Sequence, residues 1–78
     1  MNIGGAVQAL KSGARVARPG WNGKGMWLSL ARGLFTQDLE VGAAEVLPYV
    51  IMKTADDKIV PWLCSQTDLL AEDWEVVG

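Results

Sequence analysis

One cysteine, Cys64, and no histidine leave this chain without the staples that small domains rely on. A lone thiol closes no intramolecular disulfide, and a zinc site cannot be assembled from it without histidine. The chain has 78 residues, so it buries only a modest fraction of its surface when folded alone. Self-association is the reinforcement that remains. Half of the residues are hydrophobic and four are tryptophan, which is enough apolar material to cover a subunit interface. One domain spanning residues 1–78 is expected. The free thiol fits a reducing cytoplasm. No signal peptide or transmembrane run is legible, so a cytoplasmic protein without a membrane partner is expected.

The net charge of −2 conceals an uneven distribution. Residues 1–37 hold Lys11, Arg15, Arg18, Lys24 and Arg32 and no acid. Residues 38–78 hold all nine acids and only Lys53 and Lys58. Most of these charges are expected to pair between the halves, within or between subunits. The remainder of the basic half would be free for a small anion. Duplex nucleic acid is disfavoured as a partner, because it selects strongly basic domains.

The hydrophobic pattern predicts an α+β fold. Ile3, Ala6, Val7 and Leu10 recur at helical spacing, with Asn2 as N-cap, Lys11 at the end and Gly13 as the left-handed stop. The pair Gly4-Gly5 weakens that helix unless something packs closely on it. Residues 15–18 read as a short strand. Met26, Leu28 and Leu30 alternate against Trp27, Ser29 and Ala31 in a second strand. Residues 49–54 and 58–62 form a hairpin about Ala55-Asp56-Asp57, with Pro61 restricting its arm to an edge or a strand end. A one- or two-turn helix follows, capped by Ser65 or Thr67, with Asp68 well placed near its start. The last strand, residues 73–77, is expected to bury Trp74 and Val76 and to show Asp73 and Glu75. Residues 34–47 read as a variable loop or short helix. The expectation is a short N-terminal helix, an antiparallel sheet of four or five strands, and a short helix before the last strand.

The richest segment for function is Arg18-Pro19-Gly20-Trp21-Asn22-Gly23-Lys24-Gly25-Met26-Trp27. Two large aromatics in a Gly-rich turn suggest a binding loop. Trp offers a flat apolar surface for stacking. Gly lets a backbone approach a ligand and offers its N–H to phosphate oxygens. Trp21 is the candidate stacking residue, with packing on the short helix as an equal alternative. Gly23-Lys24-Gly25 lacks the spacing of a nucleotide-binding phosphate loop. Trp74 is expected in the core, Trp27 in core or interface, and Trp62 against the helix that follows it.

Catalysis is poorly provided for. Histidine is absent as a general base near neutrality, and Ser12, Ser29 and Ser65 lie in no nucleophile motif. Asp56-Asp57 reads as a solvated turn rather than a metal site. Cys64 reads as a small hydrophobe facing the interior. No catalytic residue, metal or cofactor is assigned, and the chain is not expected to be an enzyme.

Three blocks carry a resemblance: residues 18–28 after the N-terminal helix, residues 47–56, and residues 60–74. Together they resemble the family of small phage and prophage domains that includes the phage anti-Thoeris proteins of the second type. The resemblance covers nearly the whole chain apart from residues 33–46. It implies a sponge that binds, without cleaving, a cyclic nucleotide-derived immune signal, either a cyclic ADP-ribose isomer or a cyclic oligonucleotide. It also implies a homo-oligomer, a tetramer in expectation, whose symmetry brings residues 18–27 of one chain near residues 65–68 of another. On that reading Trp21 stacks an adenine, and Asn22 with the Gly23 and Gly25 backbone bonds phosphate or ribose oxygens. Arg18 or Lys24 neutralises a pyrophosphate, and Gln66, Thr67 and Asp68 bond ribose hydroxyls or base edges. Two other readings stand beside it. One is a structural or protein-interaction module whose Trp-rich surface is a subunit interface. The other is a weak single-strand nucleic-acid binder using Trp21 and the basic half.

Overall fold

The computed structural model describes residues 1–21, 24–32, 44 and 46–78. Helix α1 spans Ile3–Lys11. Asn2 caps it, its Oδ1 accepting the Gly5 N–H at 3.0 Å. The helix stops where Gly13 adopts φ +94°. Ala6 and Leu10 are its buried residues, one turn apart on the inner stripe. The expected close packing at the glycine pair is present: a Cβ on Gly5 would meet the Met1 side chain at 3.0 Å.

Five strands follow among the described residues: β1 (Arg15–Ala17), β2 (Trp27–Ala31), β3 (Tyr49–Lys53), β4 (Ile59–Pro61) and β5 (Glu75–Val77). They form one antiparallel sheet in the order β4-β3-β2-β1-β5. Short connections pair β1 with β2 and β3 with β4 in sequence order. The last strand instead returns to the far edge beside β1, with Arg15 opposite Val77 and Ala17 opposite Glu75. Helix α2 (Gln66–Leu69) precedes it, so the architecture is α+β as expected. Ser65 is the α2 cap, its Oγ accepting the Asp68 N–H at 3.1 Å.

The hairpin from β3 to β4 closes through Asp57 at φ +64°, a conformation that Asp tolerates better than most residues. Pro61 lies in β4, which among the described residues pairs only with β3 and is an edge. An edge strand can spare the N–H that Pro lacks.

Val16, Leu28 and Trp74 are almost fully buried, together with Ala6 and Leu10. Leu30, Val50, Met52, Trp21 and Trp62 pack around them. Period-two alternation accounts for this set: Leu28 and Leu30 share the face of β2 that α1 covers. Trp74 is in the core as expected, and Trp62 is half-buried against that core, edge-on to Trp74.

Two expectations change. Val76 shares its register position with the buried Val16, yet it is 58 % exposed. The reason is its strand: β5 is the outer edge, so the correct face alone does not cover it. Cys64 is half-buried rather than interior, its Sγ donating to the Ser65 carbonyl at 3.5 Å. The reading of residues 34–47 as a loop or short helix falls mostly outside the described residues. Among the described residues no helix is long and apolar enough to cross a membrane.

Candidate functional site

The turn after β1 and the turn before β5 meet within one chain. Pro19-Gly20 reverses the backbone after β1, and the Trp21 N–H donates to the Arg18 carbonyl at 3.2 Å. That turn places Arg18 and Trp21 against α2 and the residues beyond it. Arg18 Nη1 donates to Asp68 Oδ1 at 2.7 Å, and Arg18 Nε donates to Asp73 Oδ1 at 2.6 Å. Trp21 Nε1 donates to the same Asp68 Oδ1 at 3.0 Å. The guanidinium thus forks between two carboxylates, which suits its planar donor set.

An indole cluster lies beneath this polar layer. Trp74 is 2 % exposed, and its Nε1 donates to the Asp68 carbonyl at 3.0 Å. Trp21 meets Trp74 edge-on, with centroids 5.4 Å apart and planes at 89°. Trp62 meets it from another side at 5.9 Å and 85°. Both geometries favour the quadrupoles of the rings. Trp21 is half-buried, so it is partly a packing residue and partly open to a partner.

Charge in the cluster is balanced toward the negative, one guanidinium facing two carboxylates. Burial opposes ionisation of Asp68, and it is the largest single influence on that group. The hydrogen bonds from Trp21, Arg18 and Ser65 together outweigh it and hold the carboxyl below its usual range. The hydrogen bond from Arg18 also lowers Asp73. The bonds to Asp73 and Asp68 in turn hold the guanidinium proton more tightly. Burial, then the charge of Asp68, pushes the Cys64 thiol up, which leaves it a poor nucleophile.

The sequence candidates divide accordingly. Arg18, Trp21 and Asp68 are brought together, and their polar groups bond one another. Lys24 is exposed, with no ion-pair partner among the described residues. Gly25 turns its carbonyl to Lys53, whose Nζ donates to it at 3.1 Å and pairs with Asp57 at 2.7 Å. Gln66 and Thr67 are exposed on α2. Asn22 and Gly23 lie outside the described residues.

Arg18 and Trp21 bond Asp68 within a single chain, whereas the resemblance implies an approach of residues 18–27 to residues 65–68 of another chain. The physical reason is the return of β5 beside β1, which carries α2 to the end of β1. Asp73, Trp62, Trp74 and Ser65 belong to the cluster but were not among the sequence candidates. The uneven charge of the two halves was the signal for Asp73, since it foretold pairing across them. Among the described residues no group of His, Cys, Asp and Glu is arranged to hold a metal ion.

Comparison with known proteins adds two findings. Residues 1–77 match the family model described as Tad2-like, the Thoeris anti-defense 2-like domain. The chain is also 43 % identical over 85 aligned residues to a protein of Bacillus phage SP01 named Thoeris anti-defense 2. That alignment covers 100 % of this chain and 96 % of the phage protein.

Proposed function

The chain belongs to the Thoeris anti-defense 2-like domain family, and from that membership we propose that it counters a bacterial defence by sequestering a signal molecule. The ligand class is a cyclic nucleotide-derived signal, a cyclic ADP-ribose isomer or a cyclic oligonucleotide. It is bound and released intact, by a self-associating protein in the cytoplasm of the host cell.

The observation that supports this reading best is the convergence of residues 18–21 and 65–68 on one indole cluster. Trp21 lies half-buried against Asp68 of α2, and Lys24, Gln66 and Thr67 are exposed nearby in sequence. Arg18 is already engaged by two carboxylates, so it serves as the strut that fixes Trp21 and Asp68. Lys24 is the cation left to meet a phosphate. Trp21 offers its open part to a base. Gln66 and Thr67 offer donors and acceptors to ribose hydroxyls. Asp68, whose Oδ1 accepts from Arg18 and Trp21, offers its carboxylate to a ribose hydroxyl. Asn22 and the backbone of Gly23 and Gly25 complete the phosphate contacts. Binding without cleavage follows from a site that offers no base titrating near neutrality.

A thermal-shift panel of cyclic ADP-ribose isomers and cyclic di- and trinucleotides tests the proposal. A ligand that binds only the folded chain stabilises it by about 2.7 kcal/mol at one hundred times its Kd. The expected result is one clear shift, with the ligand recovered unchanged by mass spectrometry after heating. Lys24→Ala and Gln66→Ala should lose most of that shift while melting at the parental temperature without ligand, since both side chains are exposed. Trp21→Ala is the poorer probe, because Trp21 also packs on Trp74. A protein that ignores the whole panel, or that returns a cleaved product, sinks the proposal.

A further inference from the structure

A second concavity lies on the helix side of the sheet, away from the indole cluster. Its volume is about 420 Å³. Helix α1 supplies Val7 and Leu10 to it, and the sheet supplies Leu30 and Val50. Leu30 stands opposite Val50 in the ladder, so these two branched side chains lie side by side. Pro48, just before β3, completes the apolar lining. Val7 belongs to the apolar stripe of α1 yet is 37 % exposed, because it borders this cavity. Arg18 and Trp21 follow β1, which runs antiparallel to β2 with Val16 opposite Leu28. They therefore lie beyond the start of β2, whereas the cavity lies at its end.

Two cations and no acid complete the lining. Lys11 ends α1, and Arg32 follows β2. Arg32 Nη2 donates to the Lys11 carbonyl, one of the last-turn oxygens that a helix leaves unsatisfied. That bond pins the guanidinium beside the cavity, and a guanidinium has further N–H donors to offer. Neither Lys11 nor Arg32 has an ion-pair partner among the described residues. Arg18, held by two carboxylates, is the contrast.

We propose that this cavity binds a small aliphatic anion, a single carboxylate on a flexible hydrocarbon chain. The uncharged lining residues are all aliphatic, so no ring offers a nucleobase a surface to stack on. No uncharged polar side chain lines the cavity, so base edges and ribose hydroxyls would find no partner there. Branched apolar side chains instead receive methylenes, which gain by leaving water. The two cations answer one anionic head. Pockets for small molecules span about 300–1,000 Å³, so this one has room for a chain of moderate length. The proposal is independent of the signal-binding reading, since it uses none of the same residues.

Titration calorimetry with decanoate, kept below the concentration at which it forms micelles, tests this. A single molecule should bind per chain. Octanoate, shorter by two methylenes, should bind about tenfold more weakly. Decyltrimethylammonium, with the same tail and the opposite charge, should not bind. Lys11→Gln and Arg32→Gln should each weaken decanoate about threefold, and the double variant about tenfold, because both cations are exposed. Val7→Glu puts a carboxylate beside the cavity. It should abolish binding while keeping the near-ultraviolet circular dichroism of the indole cluster. Absence of decanoate binding at about 1 mM overturns the proposal. Equal binding of decyltrimethylammonium also overturns it, by revealing an unselective apolar surface. A double variant that binds decanoate as tightly as the unaltered chain does the same. So does a cyclic nucleotide that displaces decanoate, since the cavity would then belong to the signal. Decanoate and the signal panel are measured separately, so either can fail without the other.

Discussion

Arg18 is the residue on which the candidate site hangs, since it joins the end of β1 to two acids 50 and 55 positions away. Its pairing has a pH consequence whose sign is fixed. Asp68 and Asp73 are held below their usual range in the folded chain. Their contribution is therefore complete above the unfolded carboxylate value, near ~3.9, and is lost as pH falls through the lower folded values. Melting temperatures from pH 7 to pH 2 should be level with respect to this cluster down to about 4 and then drop. Arg18→Gln should flatten that drop while lowering the plateau. An unchanged acid limb in Arg18→Gln would mean that the fork does not couple to folding. The pairing was legible in outline, from a basic first half facing an acidic second half. Which acids Arg18 would take was not, because the choice depends on the register of β1 with β5. Trp21 shows the same limit. Its neighbours Gly20 and Asn22 marked it as unusual, but only the fold shows its Nε1 bond to Asp68 and its edge-on contact with Trp74.

At the level of elements, local signals carried most of the fold. Asn2 and Ser65 announce their helices because a short side-chain acceptor satisfies a first-turn N–H. Alternation marks β2, and Pro61 marks β4 as an edge. Val76 shows where such reasoning stops. Its place in the pattern is that of a core residue, and only the strand order leaves it at the rim. Stability should follow the strand order and not the pattern. Leu28→Ala, in the middle strand and 1 % exposed, should cost about 2–5 kcal/mol. Val76→Ala should cost below about 1 kcal/mol, because little of the side chain leaves water. Urea titrations of the two variants read this difference directly. Equal losses would mean that β5 is covered by something beyond the chain.

For the whole molecule, the two faces of the sheet divide the labour. The helix side holds the core and the candidate site, and Trp27, Ile51 and Ile59 lie on the other side. The bonds of Arg18 and Trp21 to Asp68 and Asp73 all form within one chain, so the cluster should survive in a monomeric protein. An assembling chain should also melt at a temperature that rises with protein concentration, since association favours the folded state. If the melting temperature of the wild-type chain is the same at about 1 and about 100 µM, folding does not draw on association. Composition had already pointed to self-association, through a small chain rich in tryptophan and without staples. Only the register sets Trp27, Ile51 and Ile59 on the face opposite Leu28.

Trp74 holds Trp21 and Trp62 edge-on within 6 Å, and this has an optical consequence. Indole transition dipoles so close and so fixed share their excitation, so the cluster should give a split near-ultraviolet circular dichroism band. Emission should be pooled among the three rings. A base stacking on Trp21 would then quench light absorbed by Trp62 and Trp74 as well, and the chain carries its own reporter of the ligand without any added dye.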